Sequence, residues 1–598
     1  MKAYLSNTKT RTATIKRDFK ANEEGSARAA LIDQALKGEN KALTNTAYEV
    51  VGTFLPQLVY KNPDIEVETM VPGQPQYDGM GLGLALQSLS AQQDWVADWM
   101  QATADMLSWE GVIMVTEDDS AAPRYTQGRE VLTWSGDKMT LKKGDQLTLP
   151  KMTYIDRNDF FIDSAVNRLT DARHMGHRWQ EDLEVLKARA RENPTMWNTG
   201  EVDSLTPDKH GLVKVIQMFV PGIIDERAKT AQVARAEADP DRDYEDANDK
   251  EIHTGTLYTL SGNWGSKEIR PPRLYRGPVC GPYVRFEGIP MPFSKCGAPH
   301  LAMTYHQLDN AARVESAAID AIEDYESAIF ATKQVAEAFA NPDSEHNGVY
   351  EVPIAPDLMQ HALQSFTKGG LTAENLAGID LTSKARDRSV GMSESMSGNA
   401  ASGTTATAET LADQSTSIRL SLLQEMAYRA VEKCLYVAGW IVEYSPSAIV
   451  PLPGEAIERG LERMRDAGIP IPEDAAAGSE LGDMALYTGG DALKQDATRA
   501  FDAKTIKIVP MSMERTSEGV QQRRALQFVE LIGQLVEMKA KAPDLDIKYI
   551  ADQIGPKMNM PKLGKALPGG QVQAEGQAKT PTEQTGVPGN ESGALAQP

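Results

Sequence analysis

Eight small or polar residues, Ser397, Gly398, Asn399, Ala400, Ala401, Ser402, Gly403 and Thr404, lead directly into about forty residues of unbroken helical pattern, 406–444. At 1.5 Å per residue that pattern is a rod about 60 Å long. Upstream, residues 301–340 predict a second long helix, closed by Asn341-Pro342 because the residue before proline is driven out of the helical region. Two long helices flanking a short insert, with a loop free of bulky anchors at the turn, suit a wall around a channel better than a cleft around a substrate.

The remaining composition bounds the class. At 598 residues the chain exceeds a single core and is expected to hold several domains. Its three cysteines, Cys280, Cys296 and Cys434, are far apart and form no CxxC pair, so neither a disulfide framework nor a zinc site is indicated, and synthesis in a reducing compartment is expected. Residues 1–20 are basic and polar without the apolar core of a signal peptide. The longest apolar run, 434–442, is far short of the roughly 20 residues that cross a bilayer. A soluble protein with no membrane partner, not secreted by the usual route, is the expectation. The net charge of −22 provides no global basic stripe for gripping phosphates. It suits solubility, and also a surface past which a polyanion slides without sticking.

Along the chain, residues 27–37 read as helix, as does the stretch after Asn45 up to Asn62-Pro63, where Ile65, Val67 and Thr69 then alternate as a strand. Residues 84–109 keep helical spacing through Leu86, Leu89, Val96, Met100, Ala104 and Leu107; Gly111 breaks the pattern and 112–115 reads as a buried strand. Strand-like pieces and an amphipathic helix over 180–191 make a mixed α+β region, and the charged stretch 227–250 is expected to be an exposed excursion or disordered loop. In the helical pair, Leu301, Tyr305, Leu308, Ala312, Ile319, Ile322 and Ile329 form one stripe, with a strand at 349–354 and a short helix at 357–366 between the helices. Helix returns over 371–396, weakened by Gly378 and Gly391. Leu411, Ile418, Leu422, Met426, Leu435 and Val442 stripe the long helix after the loop. Residues 505–509 read as a strand able to return to the first region, 518–541 and 545–554 as helices, and 565–598 as a disordered tail.

The order of these features is similar to that of the portal proteins of tailed bacteriophages, the head-tail connector rings through which DNA enters and leaves the head. The marks are Asn62-Pro63-Asp64-Ile65 at a strand entry, Asp159-Phe-Phe-Ile-Asp163 leading to Ala172-Arg-His-Met-Gly-His-Arg-Trp179, Phe286-Glu-Gly-Ile-Pro-Met-Pro292 before a long helix, and Thr405-Ala-Thr-Ala-Glu409 at a helix start. They cover about residues 45–541, and their order and spacing carry the likeness. The resemblance implies an α+β, largely helical portal fold, assembled as a twelve-subunit ring. Residues 1–20 become an N-terminal arm, 21–298 and 405–510 the wing, 299–340 and 372–396 the stem, 341–371 the clip, 511–564 the crown. It implies that residues 397–404 project into the channel toward DNA, with Lys384, Arg386 and Arg388 as basic residues that could line it. The function implied is passage of double-stranded DNA, non-specifically, at one capsid vertex of the virion. The implied partners are the terminase packaging ATPase, major capsid and scaffolding proteins and a tail adaptor, with assembly in the host cytoplasm and no cofactor. The composition of 397–404 equally fits a plain helix-to-helix turn. Lys384 and Arg388, four apart, share a helix face that Arg386 does not, and a solvated face or an intersubunit salt bridge with Glu323 or Asp324 is the simpler account of the cluster.

Catalytic readings are weaker. Asp156, Asp159 and Asp163, followed by His174 and His177, have oxygen and imidazole donors of the kind a divalent-metal phosphodiesterase uses. Asp159 and Asp163, however, look like turn residues bounding a Phe-Phe-Ile strand, and the two histidines, three apart as on a helix, lack a third ligand at motif spacing. No GxxxxGK[ST] or GxSxG occurs, and Gly79-Met-Gly-Leu-Gly83 lacks the strand-turn-helix setting of a nucleotide fingerprint. The expectation is a non-catalytic protein with no metal site. A different virion structural protein, from a tail or internal core, is the remaining alternative.

Overall fold

The computed structural model describes residues 8–25, 46–69, 76–118, 129–133, 138–141, 149–166, 168–238, 253–290, 297–323, 326–331, 345–346, 349–350, 363–368, 373–391, 406–444, 449–452, 485–488, 501, 504–509 and 512–513. All of these lie in the unit Met1–Arg515. The described residues mix helix and sheet with helix the larger share, so the α+β class holds among them. Residues 27–37, the loop 397–404 and the segments 518–541, 545–554 and 565–598 fall outside the described residues.

The main core forms around the second half of the helix Ala406–Tyr444. From Leu423 onward Ala427, Val431, Cys434, Leu435, Ala438, Ile441 and Val442 are buried, and so are Ala430, Val437 and Tyr444 on other faces. A helix apolar on most of its circumference, with only the face of Glu425, Arg429 and Lys433 exposed, needs neighbours on several sides. It is packed by the three-stranded antiparallel sheet of Tyr283–Glu287, Glu110–Asp118 and Leu149–Ile155, by Lys504–Ile508 and by the helix Thr46–Leu58. Lys504–Ile508 pairs antiparallel with Ile65–Thr69, placing Ile506 opposite Val67 and Ile508 opposite Ile65, which is the return strand expected from the sequence. Glu443, buried on the long helix, accepts hydrogen bonds from the Tyr487 hydroxyl at 2.5 Å and Lys504 Nζ at 2.6 Å, tying two later strands to it.

Beside this core stands a five-stranded antiparallel sheet in the order Lys267–Tyr275, Gly255–Ser261, Leu212–Pro221, Met175–Asp182, Phe160–Ile162. A four-stranded sheet combines Ile449–Leu452, Ala485–Thr488, Arg129–Thr133 and Lys138–Leu141. The helices His300–Glu323 and Ala373–Val390 pack on each other. They run antiparallel: His300 Nε2 donates to the Val390 carbonyl at 2.7 Å, and Glu326–Ala331, which follows the first helix, pairs with Leu363–Lys368, which precedes the second.

Several expectations need correction. The helix expected over 84–109 is two, Gln76–Gln92 and Trp95–Ser108, because Asp94 takes a left-handed conformation at φ 51°, which Asp tolerates better than most residues. The helix expected over 301–340 stops at Glu323, and Ile329 of its stripe lies on a strand opposite Ser365. The expected helix 357–366 is overridden at residues 363–366 by the same pairing. Both segments carry apolar periodicity too short to resist a cross-strand partner, so tertiary contact decides. The supposed excursion 227–250 is helical from Glu226 to Ala238, with Ala228 buried, and the rest lies outside the described residues. Helix 180–191 starts only at Leu183, where the Asp182 carboxylate accepts hydrogen bonds from the Glu184 and Val185 amides. Helix 371–396 spans Ala373–Val390, closed by Gly391 at φ 83° with its amide bonded to the Asp387 carbonyl. Leu422, read as core, is 40% exposed, and Leu423 takes the buried place at 2%.

Gly111 marks where helix Trp95–Ser108 and strand Glu110–Asp118 come closest: a Cβ there would stand 1.9 Å from the Ala102 carbonyl oxygen. Gly378, on an open helix face, would meet nothing within 4 Å. Gly111→Ala is therefore expected to destabilise by about 3 kcal/mol or more through backbone displacement, and Gly378→Ala to stabilise by about 0.5–1 kcal/mol; urea unfolding midpoints of both variants give the comparison. Truncating neighbours on the long helix separates their roles in the same assay, with Leu423→Ala expected to cost about 2–5 kcal/mol and Leu422→Ala about 1 kcal/mol or less.

Candidate functional site

The acidic and histidine residues picked out in the sequence fall at one edge of the five-stranded sheet. Asp156 and Asp159 bound a tight turn, the Asp159 amide donating to the Asp156 carbonyl at 2.9 Å and the Asn158 amide to Asp156 Oδ1 at 2.8 Å. Asp159 then accepts from Arg178 Nε at 2.7 Å. Phe160–Ile162 forms the expected short strand, and Asp163 closes it. His174 and His177 are not on a helix: His177 lies in the strand Met175–Asp182, and three residues along extended chain is a change of face. The two imidazoles accordingly diverge.

His177 points into the apolar interior, its Nδ1 2.8 Å from the Tyr283 hydroxyl and its ring stacked on Trp179 at 5.1 Å. Burial pushes the Tyr283 phenol far up, so its O–H donates and His177 Nδ1 accepts, leaving the ring proton on Nε2. His174 turns the other way, with Nε2 2.6 Å from Asp18 Oδ2. Among the described residues Asp18, Asp163 and His174 bring donor atoms within 4.8 Å of one another, all three buried. Asp18 comes from the helix Thr8–Gly25, a segment the sequence offered only as an arm.

The donors of this trio are already engaged. Asp163 accepts from Arg173 Nε at 2.5 Å and Nη2 at 3.0 Å and from the Ala165 amide at 3.1 Å. Asp18 accepts from Arg17 Nη2 at 2.9 Å and from the Ser164 amide at 3.4 Å, besides His174. The hydrogen bonds from Arg173 hold the Asp163 carboxyl down at about 2 despite burial. Burial works against ionised Asp18, but its bonds from His174, Ser164 and Arg17 outweigh it and lower its pKa. Two carboxylates matched by two guanidiniums leave little for a divalent cation to neutralise, and the arginines would repel it. The donor set fits an ion-pair clasp.

That clasp fixes the N-terminal helix to the sheet. Ile15 and Phe19 of the same helix face enter an apolar cluster with Phe161, Ile216, Met218, Val220, Tyr258 and Leu260. Arg11 Nη2 donates to the Gly265 carbonyl at 3.1 Å, and the Arg178 guanidinium sits 4.7 Å over the Phe19 ring. The sequence signal for this docking was present in the spacing of Arg11, Ile15, Asp18 and Phe19 on one helical face; its partners lie some 150 or more residues away and have no local mark.

The second set of candidates is on the helix pair. Lys384 is exposed and paired with Asp380 at 2.8 Å, and Arg388, one turn further along, is exposed on the same helix. Arg386 is largely covered and lies near Asp387 at 2.8 Å, Glu315 at 3.8 Å and Glu49 at 3.9 Å. Within the chain Arg386 reaches Glu315 near the foot of the hairpin, where helix Thr46–Leu58 also comes close; the pairing with Glu323 or Asp324 suggested by the sequence was one between subunits. Arg386 is thus a fastener between helices, and Lys384 and Arg388 face outward. The eight loop residues Ser397 to Thr404 lie outside the described residues, between the ends of Ala373–Val390 and Ala406–Tyr444.

No family model matches the chain, and no curated protein matches it. No helix among the described residues is long and apolar enough to cross a membrane.

Protonation of the buried groups sets a testable pH dependence. Burial lowers the His177 pKa from 6.5 to about 3. The unfolded chain binds this proton below about pH 6.5 and the folded chain does not, so stability falls as pH drops from there toward about 3. Asp163 acts lower: its stabilisation is present above its unfolded value of 3.8 and is lost as pH falls through about 2. His177→Gln is expected to flatten unfolding free energy against pH between about 6.5 and 3 by up to about 1.4 kcal/mol per pH unit, leaving the limb below about pH 3 in place. Urea titrations at half-unit pH intervals read that slope whatever the variant's absolute stability; a slope equal to wild type would count against a neutral buried imidazole.

Proposed function

We propose that this chain is the subunit of a portal-type ring, a head-tail connector at a capsid vertex through which double-stranded DNA is packaged and ejected. The observation that supports it most is the antiparallel pair His300–Glu323 and Ala373–Val390, joined by a small β insert and followed by the long helix Ala406–Tyr444. In the single chain this pair is covered mainly at its foot, where Leu301, Leu308, Ala311 and Val390 are buried. Further along it Ile322, Leu376 and Leu381 stand exposed, Leu381 at 71%, and Met303 is exposed at the foot itself. Exposed apolar side chains of this size on a helix pair are a liability for a monomer and an asset between neighbours in a ring.

In this reading the pair is the stem, and the insert, with strands Glu326–Ala331 and Leu363–Lys368, is the clip, which begins earlier than residue 341. The α+β body is the wing, and 511–564 is the crown. Loop residues 397–404 meet DNA, with Lys384 and Arg388 on the outward stem face. Weak contacts from small hydroxyl and amide groups suit a duplex that has to move. The partners are other copies of the chain, a terminase motor, capsid and scaffolding proteins and a tail adaptor, and the site of action is the virion. Arg178 on Asp159 and Arg173 on Asp163, seated on carboxylates that a phosphodiesterase would use, argue against the enzymatic alternative.

Mass photometry and negative-stain imaging of the purified chain provide the test. Closed rings with a central hole, near twelve times the 65.3 kDa chain, are expected. Leu376→Asp with Leu381→Asp should leave the thermal midpoint of the subunit nearly unchanged but shift the population to monomers. Monomers alone for the wild-type chain at micromolar concentration would count against the ring, and filaments or compact closed particles would favour another virion component.

A further inference from the structure

The docked N-terminal helix carries a second face. Its inward side holds Arg11, Thr14, Ile15, Asp18 and Phe19, all buried. Outward it presents Lys9, Ala13, Lys16, Arg17 and Lys20, all exposed. Lys9, Lys16 and Lys20 stand at i, i+7 and i+11, within about 40° of one another around the axis, with Arg17 at the border. From Lys9 to Lys20 the row is about 16 Å long.

Composition makes the row unusual here. The whole chain carries −22, yet its first twenty residues hold six Lys or Arg against a single Asp, and that Asp is the buried Asp18 of the clasp. Glu23 and Glu24 end the basic run in the sequence. At physiological salt charges further than about 8 Å away are largely screened, so a ligand at this face meets the local cations more than the distant acidic surface. The face is also held in place: the Asp18, His174, Asp163, Arg173 network and the Phe19 contacts fix the helix, so little ordering entropy is lost when the row is engaged.

We infer that this row of cations is a binding site for the phosphate backbone of double-stranded DNA, separate from residues 397–404. The chemistry of the face selects the ligand class. Protein partners anchor on aromatic or aliphatic side chains at the centre of an interface, and the outward face offers none beyond Ala13, with Thr10 and Thr12 at its margins. A regular polyanion requires no apolar anchor. Phosphates of one duplex strand recur every 3.4 Å along the axis, so a row about 16 Å long spans about five of them. Contacts of this kind position a duplex without reading its sequence. The inference rests on the helix face itself and stands whether or not the chain closes into a ring.

The experiment is fluorescence anisotropy of a labelled 30-base-pair duplex of arbitrary sequence with the full chain, titrated from 50 to 200 mM salt. Wild type should bind, and the triple variant Lys9→Gln, Lys16→Gln, Lys20→Gln should bind more weakly, with the slope of log affinity against log salt reduced by about 2.7 for three lost phosphate contacts. The triple Lys→Arg variant should keep both affinity and slope, and a scrambled duplex should bind equally. Because the three side chains are exposed, thermal midpoints should match wild type, which separates lost contacts from lost fold. No binding by wild type at 50 mM salt, or an unchanged slope in the Gln variant, would overturn the inference. Displacement of the duplex by polyglutamate at equal charge concentration would overturn it in favour of an acidic polypeptide. The ring measurement reads the assembly proposal independently, so one can fail without the other.

Discussion

Burial of the second half of helix Ala406–Tyr444 is the constraint on which the described architecture depends. Between Leu423 and Tyr444 apolar residues occupy every face but the one of Glu425, Arg429 and Lys433, and each fully buried Val, Leu or Ile is worth about 1.5–3 kcal/mol relative to exposure. No single neighbouring element can cover all those faces. The three-stranded sheet takes one side, the strand Lys504–Ile508 another, and the helix Thr46–Leu58 a third. Segments separated by hundreds of residues therefore have to meet around one rod, and the pairing of Ile65–Thr69 with Lys504–Ile508 follows from that requirement. Buried Glu443 adds specificity: once desolvated, it needs both Tyr487 and Lys504, which fixes how those strands sit on the helix.

Charge is distributed with the same economy of position. Among the described residues four buried carboxylates are each met by a cation: Glu110 by Arg285 and Glu443 by Lys504, both buried, and Asp18 and Asp163 by the half-exposed Arg17 and Arg173. The last set converts a cluster of metal-type ligands into a fastener for the N-terminal helix. Its consequence reaches the surface, because docking the helix by Ile15, Asp18 and Phe19 turns Lys9, Lys16 and Lys20 outward as a fixed row. A feature that looks catalytic in one dimension thus becomes the support of an outward basic face in three. The helix pair His300–Glu323 and Ala373–Val390 shows the complementary case, apolar at its foot and incompletely covered beyond, as expected of an element completed by a neighbour.

The sequence by itself determined the elements whose signals are local and long. The helix Ala406–Tyr444 was legible because its apolar pattern persists over many turns, and the strand Ile65–Thr69 because Asn62-Pro63 stops the helix before a clear alternation. Asp159 and Asp163 were legible as turn residues because they bracket Phe-Phe-Ile. Tertiary structure alone decided what short or ambiguous signals become. Ile329 continued a helical stripe but is drawn into a strand by Leu363–Lys368, since cross-strand hydrogen bonds and packing outweigh a few tenths of a kcal/mol of propensity per residue. Leu422 and Leu423 were interchangeable in sequence, and only the direction from which neighbours approach the helix chose Leu423. His174 and His177 could share a helix face by spacing, but extended backbone sent one to Asp18 and the other to Tyr283. The partners of Asp18 were invisible for the same reason: a contact between residues about 150 positions apart is set by how sheets and helices pack, and no local pattern encodes it.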